Sequence, residues 1–250
     1  MKTSILFQAV VLTLATTSLA AQINLSKIEL GGGVSNFIYQ GDLTPSKIGS
    51  FRTMRWGLDV YGTYKLSNRL GLKTKIIVGG LKGDESRYDA PKYRQQRNFA
   101  FRTPVTEISE HLVWNIATPG TDGGRRLTPY ISAGIGYAFL RIKRDYSRYN
   151  LAYFGPEHYV TIGLGEDTSH NLPRGMLVVP VSAGVRYALN NRWSLNLETS
   201  YRLNGNDYLD GFSQSANTTR KDHFFTNTIG VIYTFGKPKG IDCPPAKRSY

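Results

Sequence analysis

Alternation of apolar and polar residues is the feature that most constrains the fold of this chain. In the segment MRWGLDVYGTYKLSNRLGLKTKI, residues 54–76, the even positions before the break at 67–69 are apolar, aromatic or glycine. The odd positions between them include the charged residues Arg55 and Asp59, and the alternation resumes after the break. A period of two places successive side chains on opposite faces of a β-strand. The segment therefore predicts a β-hairpin with one apolar and one charged face.

Segments with the same alternation recur along the chain and predict eight strands. They cover about residues 27–39, 54–66, 70–81, 99–117, 127–140, 177–189, 193–202 and 225–235. No helix of useful length is predicted, because no stretch repeats apolar residues at the helical period of 3.6. Glu110 breaks the alternation by falling on the apolar face of the fourth segment. We interpret Glu110 as a bulge or as a position near a membrane interface.

The connections between the predicted strands alternate in length. Three are short, at 67–69, 118–126 and 190–192, and four are long, at about 40–52, 82–98, 143–175 and 204–222. Short turns at one end and long loops at the other are typical of outer-membrane barrels, whose turns are periplasmic and whose loops lie outside. We therefore predict an all-β fold, an eight-stranded antiparallel transmembrane β-barrel (OmpA/OmpX-like) in the bacterial outer membrane, with both termini periplasmic.

The charged face of the strands decides between a membrane barrel and a soluble one. It combines glycine with charges of both signs, a mixture that a soluble surface does not require. The interior of an eight-stranded barrel is only wide enough to be filled by side chains, and paired charges can fill it. The alternative is a soluble lipocalin-like barrel, which usually has disulfides and a wider apolar cavity. The residues predicted to form a lumen network are Arg55, Asp59, Lys73, Lys75, Glu107, His111, Arg186, Glu198 and Arg202.

Aromatic residues of the apolar face cluster at strand ends. Those beside the short turns, or at the end of the last strand, match the aromatic girdle that membrane barrels have at the lipid–water boundary. The predicted membrane girdle consists of Tyr64, Trp114, Tyr187, Trp193, Tyr233 and Phe235. Because these residues lie next to short turns, we expect the girdle on the periplasmic side.

The N-terminal segment has the pattern of an export signal. Lys2 precedes an apolar run, and Ser18-Leu19-Ala20 supplies small residues for a cleavage site. We predict a signal peptide at 1–20, the barrel at 21–236 and a periplasmic tail at 237–250, with a membrane anchor as the alternative for the first segment. The formal net charge is +13, but export argues against nucleic acid as the partner.

Several phrases are similar to those of a known family. They are IELGGGVSNFIYQGDL, TPYISAGIGYAF, LVVPVSAGVRYALNNRWSLNLE, NDYLDGFS and YTFGKPK followed by CPP. Together they resemble a Bacteroidota outer-membrane β-barrel family, mostly of unknown function, that includes the type IX secretion component PorG. The resemblance covers about residues 27–245. It implies the barrel fold and the outer-membrane location more directly than it implies a role in secretion.

The four histidines are the first candidates for an active site or a metal site. His111 shares a strand with Glu107 and Ser109, but alternate residues of a strand are about 7 Å apart, which disfavours a catalytic triad. The other three histidines, which have no regular ligand spacing, are His158, His170 and His223. We therefore predict no catalytic residue, no cofactor and no metal.

The basic residues indicate the partners. The second long loop, 82–98, has an excess of cations for lipopolysaccharide phosphates, and outer-membrane lipid would cover the apolar face. The tail contains the lone cysteine, Cys243, which could join a periplasmic secretion-system protein; a solvated tail is the alternative. We predict a structural or docking role in an envelope assembly, with type IX protein secretion as the candidate. The alternatives are a lipid A-modifying or proteolytic barrel enzyme and, third, a narrow pore.

Overall fold

The computed structural model describes most of the chain between the two termini. The described residues are 25–46, 48–117, 126–205, 208–216 and 222–235. The predicted signal peptide at 1–20 and the predicted tail at 237–250, including Cys243, lie outside the described residues.

Nine strands form one antiparallel sheet, and eight of them close into a barrel. The strands are β1 Ile28–Gln40, β2 Arg55–Lys65, β3 Leu70–Asp84, β4 Ala100–Asn115, β5 Leu127–Leu140, β6 Lys143–Asp145, β7 Gly175–Ala188, β8 Trp193–Leu203 and β9 His223–Thr234. Each strand of the barrel pairs with the next, and β1 pairs with β9 over twelve residue pairs, which removes both sheet edges. The three-residue strand β6 pairs only with the start of β4. The predicted eight-stranded antiparallel barrel is confirmed.

The hairpin of β2 and β3 illustrates how the local sequence sets these strands. Its turn is held by Ser67, whose hydroxyl accepts hydrogen bonds from the backbone N–H groups of Arg69 and Leu70. Polar turn residues of this kind end one strand and start the next. The turn fixes the register, so that every apolar side chain of β2 lies on the same face as its neighbour on β3.

The apolar face of each strand is the outer surface of the barrel. On β2, Trp56, Leu58 and Val60 have exposed fractions of 65%, 64% and 59%, whereas the alternating residues Asp59 and Tyr61 are buried. A soluble barrel would have the opposite polarity, because contact of this surface with water would be unfavourable. The fold is therefore that of a transmembrane barrel whose outer surface is solvated by lipid tails.

Glu110 lies on this outer surface without any bulge. The pairing of β4 with β3 and β5 continues through it without interruption. Its carboxylate accepts a hydrogen bond from the hydroxyl of Thr74 at 2.7 Å. The expectation of a bulge is wrong, and the carboxylate is accommodated by a cross-strand hydrogen bond instead.

Glycine and aromatic residues alternate around the inside of the barrel. Directly paired examples are Gly31 with Tyr61, Gly83 with Phe101, and Gly184 with Tyr130. A Cβ atom added at Gly31 would lie 2.3 Å from the Tyr61 ring, so the ring occupies the space that a side chain would need. A narrow barrel fits large residues by placing them opposite small ones.

The described parts of the long loops contain three α-helices, the longest of 11 residues. They are α1 Tyr93–Arg97, α2 Leu151–Phe154 and α3 Tyr159–Ser169. 3-10 turns lie at Phe51–Thr53 and Glu85–Arg87 in the same loops and at Leu25–Lys27 before β1. The expectation of no useful helix is wrong for α3. Its buried residues are spaced at helical period, but they are Val160, Gly163, Leu164 and Asp167, and the glycine and aspartate hide the pattern from hydropathy. Among the described helices, none is long and apolar enough to cross a membrane.

Candidate functional site in the lumen

The first cluster inside the barrel is built around Glu198. Its carboxylate accepts hydrogen bonds from Lys73 Nζ at 2.6 Å, Lys75 Nζ at 2.9 Å and Tyr130 Oη at 2.8 Å. Lys75 Nζ also lies 2.8 Å from a carboxylate oxygen of Asp59. All five side chains are buried. Moving each ion from water into the lumen costs several kcal/mol, as an order of magnitude, in desolvation free energy. The buried arrangement is therefore stable only when every charge has an oppositely charged partner.

The second cluster is centred on Arg202. Its Nε donates to Glu107 at 3.1 Å, and its Nη1 donates to the Ser200 carbonyl at 2.9 Å and to the Thr226 hydroxyl. The guanidinium carbon lies 5.3 Å from the centre of the Phe224 ring. Arg202 therefore satisfies its donors on one side and covers an aromatic ring on the other, which suits a cation at the edge of an apolar region.

The third cluster lies nearest the short turns. Glu29 accepts from Arg186 at 3.0 Å and pairs with Lys65 at 2.7 Å. Across the three clusters, four carboxylates face five cationic side chains, so the buried charge is nearly balanced. We call the residues of these three clusters the turn-end network.

Eight of the nine predicted lumen residues lie in this region, and Arg55 does not. Arg55 is the first residue of β2, where it is paired with Phe37. Within the described part of the chain it forms no ion pair. The alternation placed it correctly on the inner face, but the lumen at that level is apolar. Glu29 and Lys65 were not among the predicted lumen residues, although both occupy the same alternating face.

Glu107, Ser109 and His111 are connected, contrary to the spacing argument. Ser109 Oγ donates to Glu107 at 3.1 Å and lies 2.9 Å from His111 Nε2. The side chains bridge the distance by leaning along the strand. Because the single hydroxyl proton goes to the carboxylate, Nε2–H of His111 must donate to Ser109. In a catalytic triad the histidine accepts from the serine and separates it from the acid, whereas here the serine lies between the acid and the histidine.

The half of the lumen nearer the long loops is mainly apolar, although the buried carboxylates of Asp210 and Asp222 accept hydrogen bonds there from the Tyr39 hydroxyl. Its buried cluster, which we call the loop-end core, contains Phe37, Tyr39, Leu43, Ile77, Leu81, Phe99, Phe101, Val105, Ala138, Leu140, Val160, Leu164, Met176, Val178, Leu209, Phe212 and Phe224. On β3 the boundary between the charged and the apolar half lies between two successive inward-facing residues, Lys75 and Ile77. The expected filling by paired charges thus applies to only one half of the lumen.

Loop residues complete this core, and buried charges hold them. Glu85 accepts from Arg94 at 3.0 Å, from Arg97 at 2.6 and 3.0 Å, and from the backbone N–H of Phe99. Burial alone would lower the pKa of Arg97, but its hydrogen bonds and ion pair with Glu85 raise it above its ordinary value. The second long loop is therefore fixed as an ion-paired turn that places Phe99 over the lumen.

A second carboxylate, Asp167, joins the third and fourth long loops. Located on α3, it accepts from the backbone N–H groups of Ser213, Gln214 and Ser215 at 2.9–3.2 Å. Burial, followed by the charge of Asp167, raises the pKa of the neighbouring Tyr208. These bonds place Phe212, whose ring stacks on that of Phe99 at 4.4 Å, inside the loop-end core.

The predicted girdle residues all lie on the outer surface toward the short turns. Trp193 and Tyr233 are paired across β8 and β9 with ring centres 4.9 Å apart, and Phe235 packs edge-on against Tyr233 at 5.0 Å. A second set of exposed aromatic residues, absent from the predicted girdle, lies toward the long loops and includes Trp56 and Phe139. The apolar band is thus bounded by aromatic residues at both ends.

The histidines outside the lumen lie apart from one another. His158 caps α3 by accepting from the backbone N–H of Val160, His170 stacks on Tyr208, and His223 packs near Tyr201. In the described ranges, no group of three or more His, Cys, Asp or Glu side chains is arranged to hold a metal ion.

These features define a class of protein, namely an eight-stranded transmembrane barrel whose lumen contains a buried charged network toward the short turns and an apolar core toward the long loops. The chain belongs to the family described as "Domain of unknown function (DUF6089)", whose pattern matches residues 4–243. No curated protein matches the sequence significantly.

Solved structures of outer-membrane barrels are similar in fold. Neisserial surface protein A has a TM-score of 0.48 and 13% identity, covering 83% of this chain and 97% of that one. OprG from Pseudomonas aeruginosa has a TM-score of 0.49 and 12% identity, covering 82% and 94%. Ail from Yersinia pestis has a TM-score of 0.44 and 12% identity, covering 82% and 96%. At these identities the likeness concerns the fold alone.

Proposed function

We propose that this protein is an outer-membrane barrel with a structural or docking role in an envelope assembly, and that it transports nothing through its lumen. The observation that carries the proposal is the double filling of the lumen, by the turn-end network and by the loop-end core. A channel needs a continuous aqueous path, which eight-stranded barrels are too narrow to provide when side chains fill them. A barrel of this kind acts through its loops, its outer surface and its termini.

The outer-membrane location and the orientation are part of this proposal. The pattern of short turns and long loops supports periplasmic turns and external loops. Photolabelling from the lipid phase tests the membrane embedding: label is expected on Leu58, and label on Asp59 instead would contradict it. Protease added to intact cells tests the orientation, and cleavage is expected in the long loops. Protection of the loops in intact cells together with cleavage in lysed cells would reverse the orientation.

Type IX protein secretion is the specific assembly that we propose. It is supported by the resemblance of the strand and loop phrases and by the presence of Cys243 in a basic segment. The test is disulfide or maleimide crosslinking through Cys243 in cells, followed by identification of the product. Recovery of a periplasmic component of the secretion apparatus is expected, and Cys243→Ser is the matched control. A product containing no envelope partner would count against the docking role.

The alternative function is that of a lipid A-modifying or proteolytic enzyme. The dispersal of the histidines supports the non-enzymatic proposal. Alanine substitution of His111, His158, His170 and His223 is expected to change neither lipid A composition nor the hydrolysis of peptide substrates. A loss of either activity in these variants would contradict the structural role.

A further inference from the structure

Four cationic side chains lie together on the outer surface of the barrel near the long loops. Lys82 on β3 is paired directly with Arg102 on β4, and Arg102 is paired with Lys143 on β6. The backbone N–H of Arg141 donates to the carbonyl of Pro104 at 3.2 Å, which places Arg141 beside the same row. We call Lys82, Arg102, Arg141 and Lys143 the basic ladder.

The basic ladder faces away from the lumen. Arg102 lies between Phe101 and Thr103, which are both buried inside the barrel, so alternation directs its side chain outward. Paired residues share a face, and Lys82 and Lys143 therefore project to the same side. Arg102, Arg141 and Lys143 are exposed.

The negative charge beside the ladder comes from two carboxylates of the adjacent row, Asp84 and Asp145, and Asp145 is hydrogen-bonded by Ser147. Lys82 lies 3.6 Å from Asp84, and the same carboxylate also contacts Arg87 at 3.8 Å and Arg148 at 3.4 Å. Within the described ranges, Arg102, Arg141 and Lys143 have neither an ion pair nor a side-chain hydrogen bond. Like charges directly opposite each other on neighbouring strands are destabilising. An anion bound along the row would remove this repulsion.

The ladder borders directly on the lipid-facing band. On this face the row Val78, Thr106 and Phe139 lies two residues from Arg141 and four residues from Lys82 and Arg102, with the small pair Gly80 and Pro104 between. Phe139 is 55% exposed, and its ring packs edge-on against Tyr137 at 4.9 Å. Aromatic side chains at this position mark the level of the lipid headgroups. A ligand on the ladder would therefore have its charged group among the cations and its apolar part against the band below.

We propose that the basic ladder binds the phosphate groups of a membrane lipid headgroup in the leaflet at the loop end of the barrel. Arginine and lysine at a membrane surface favour anionic lipid, and arginine also forms paired hydrogen bonds with phosphate oxygens. The lipid, rather than free phosphate, is the ligand because the apolar band next to the cations holds its acyl chains. The inference rests on the proposed location and orientation, which put the long loops on the side of the lipid A leaflet, but it is independent of the proposed docking role.

The test compares two variants with the same change in charge. One variant, Arg102→Gln, Arg141→Gln and Lys143→Gln, removes three cations of the ladder. The control, Arg69→Gln, Arg126→Gln and Arg192→Gln, removes three exposed cations at the short-turn end. Each folded protein in detergent is titrated with bisphosphorylated lipid A and, separately, with its dephosphorylated form, and bound lipid is counted by native mass spectrometry. Heat-modified migration on gels establishes that both variants are folded.

We expect the ladder variant to bind bisphosphorylated lipid A more weakly by about fivefold for each cation removed, and the control variant to bind it like the wild type. Dephosphorylated lipid A should bind weakly to all three proteins. Equal binding by the ladder variant and the wild type would overturn the proposal, and so would an equal loss in the control. Displacement of the lipid by millimolar inorganic phosphate would show that free phosphate, not lipid, is the ligand.

Discussion

Glu198 in the turn-end network and Phe212 in the loop-end core are both completely enclosed, but by opposite kinds of neighbours. Glu198 is surrounded by two lysines and a tyrosine hydroxyl, all contributed by barrel strands. Phe212 comes from a loop and stacks on Phe99, which another loop contributes. One half of the lumen is thus filled by strands alone, whereas the other is completed by loops that fold over the barrel.

This difference shows how a narrow barrel can present apolar side chains to the lipid and also fill its lumen. In the turn-end half, alternation assigns the apolar side chains to the lipid, so the inner face has polar residues whose charges must be paired through the strand register. In the loop-end half, the loops bring further apolar side chains and cover the opening, so a core like that of a soluble protein becomes possible. We expect the stability of the turn-end half to depend on the charges of its side chains, and that of the loop-end half on the volume of its apolar side chains.

The largest effect is expected from Glu198→Ala. It leaves Lys73 and Lys75 without their shared carboxylate in a buried site, and breaking a buried ion pair from one side costs about 3–5 kcal/mol. The measurement is the free energy of unfolding by urea in lipid vesicles. Glu166→Ala, on the exposed side of α3, is the matched control and should be close to neutral. A loss below about 1 kcal/mol for Glu198→Ala would contradict the charge sensitivity of this half.

A slightly smaller loss of stability is expected from Phe212→Ala. Removing the ring creates a cavity against Phe99 and should cost about 3 kcal/mol. Because loops complete this half, the cost should appear as local opening, with faster hydrogen exchange in residues 208–216, while the barrel strands stay protected. Phe51→Ala, at an exposed phenylalanine, is the control. Uniform loss of protection across the strands would show that the two halves unfold as one.

Asp167→Asn should weaken the contact between the third and fourth long loops, with a smaller loss of stability than the two preceding variants. The variant replaces a carboxylate that accepts three backbone N–H groups, and such charge-assisted hydrogen bonds contribute about 1.5–3 kcal/mol. Limited proteolysis of the fourth long loop is expected to accelerate, with Glu166→Gln as the neighbouring exposed control. Unchanged proteolysis would mean that Asp167 does not hold the loops together.

The smallest effect concerns pH and the turn after β6. The backbone N–H and hydroxyl of Ser147 hydrogen-bond the Asp145 carboxylate and lower its pKa below the ordinary value of 3.8. The folded pKa is thus below the unfolded one, so the contribution is present above pH 3.8 and is lost as the pH falls through the folded value. Exchange of the Ser147 amide should accelerate relative to the rest of the turn in this acid range. Asp145→Asn should abolish that dependence, and its persistence in the variant would assign it to another group.

The alternation of residues was sufficient to predict the strands, because lipid on one side and a packed lumen on the other impose period two on each of them. The fifth strand was predicted residue for residue at 127–140. The apolar half of the lumen was missed because, near the loops, both faces are apolar. Phe37-Ile38-Tyr39 on β1 and Ile76-Ile77-Val78 on β3 are unbroken apolar runs, and this loss of alternation was the signal that could have located it.

The ion-pair partners could not be predicted in the same way. Lys73 is 125 residues from Glu198, and Glu107 is 95 residues from Arg202. Alternation assigns each of them to the lumen, but their contact depends on the closure and register of the whole barrel. Helix α3 was missed for a local reason, since Gly163 and Asp167 occupy its buried face and serve close packing and backbone hydrogen bonding.

Single-channel recording in planar bilayers tests most directly the central claim that the two halves close the lumen. The folded wild-type protein is expected to give no steady conductance, because the turn-end network and the loop-end core occupy the barrel over its length. Glu198→Ala together with Phe212→Ala, which loosens both halves, is the positive comparison and should give openings. Steady, ion-selective conductance from the wild-type protein would contradict the account.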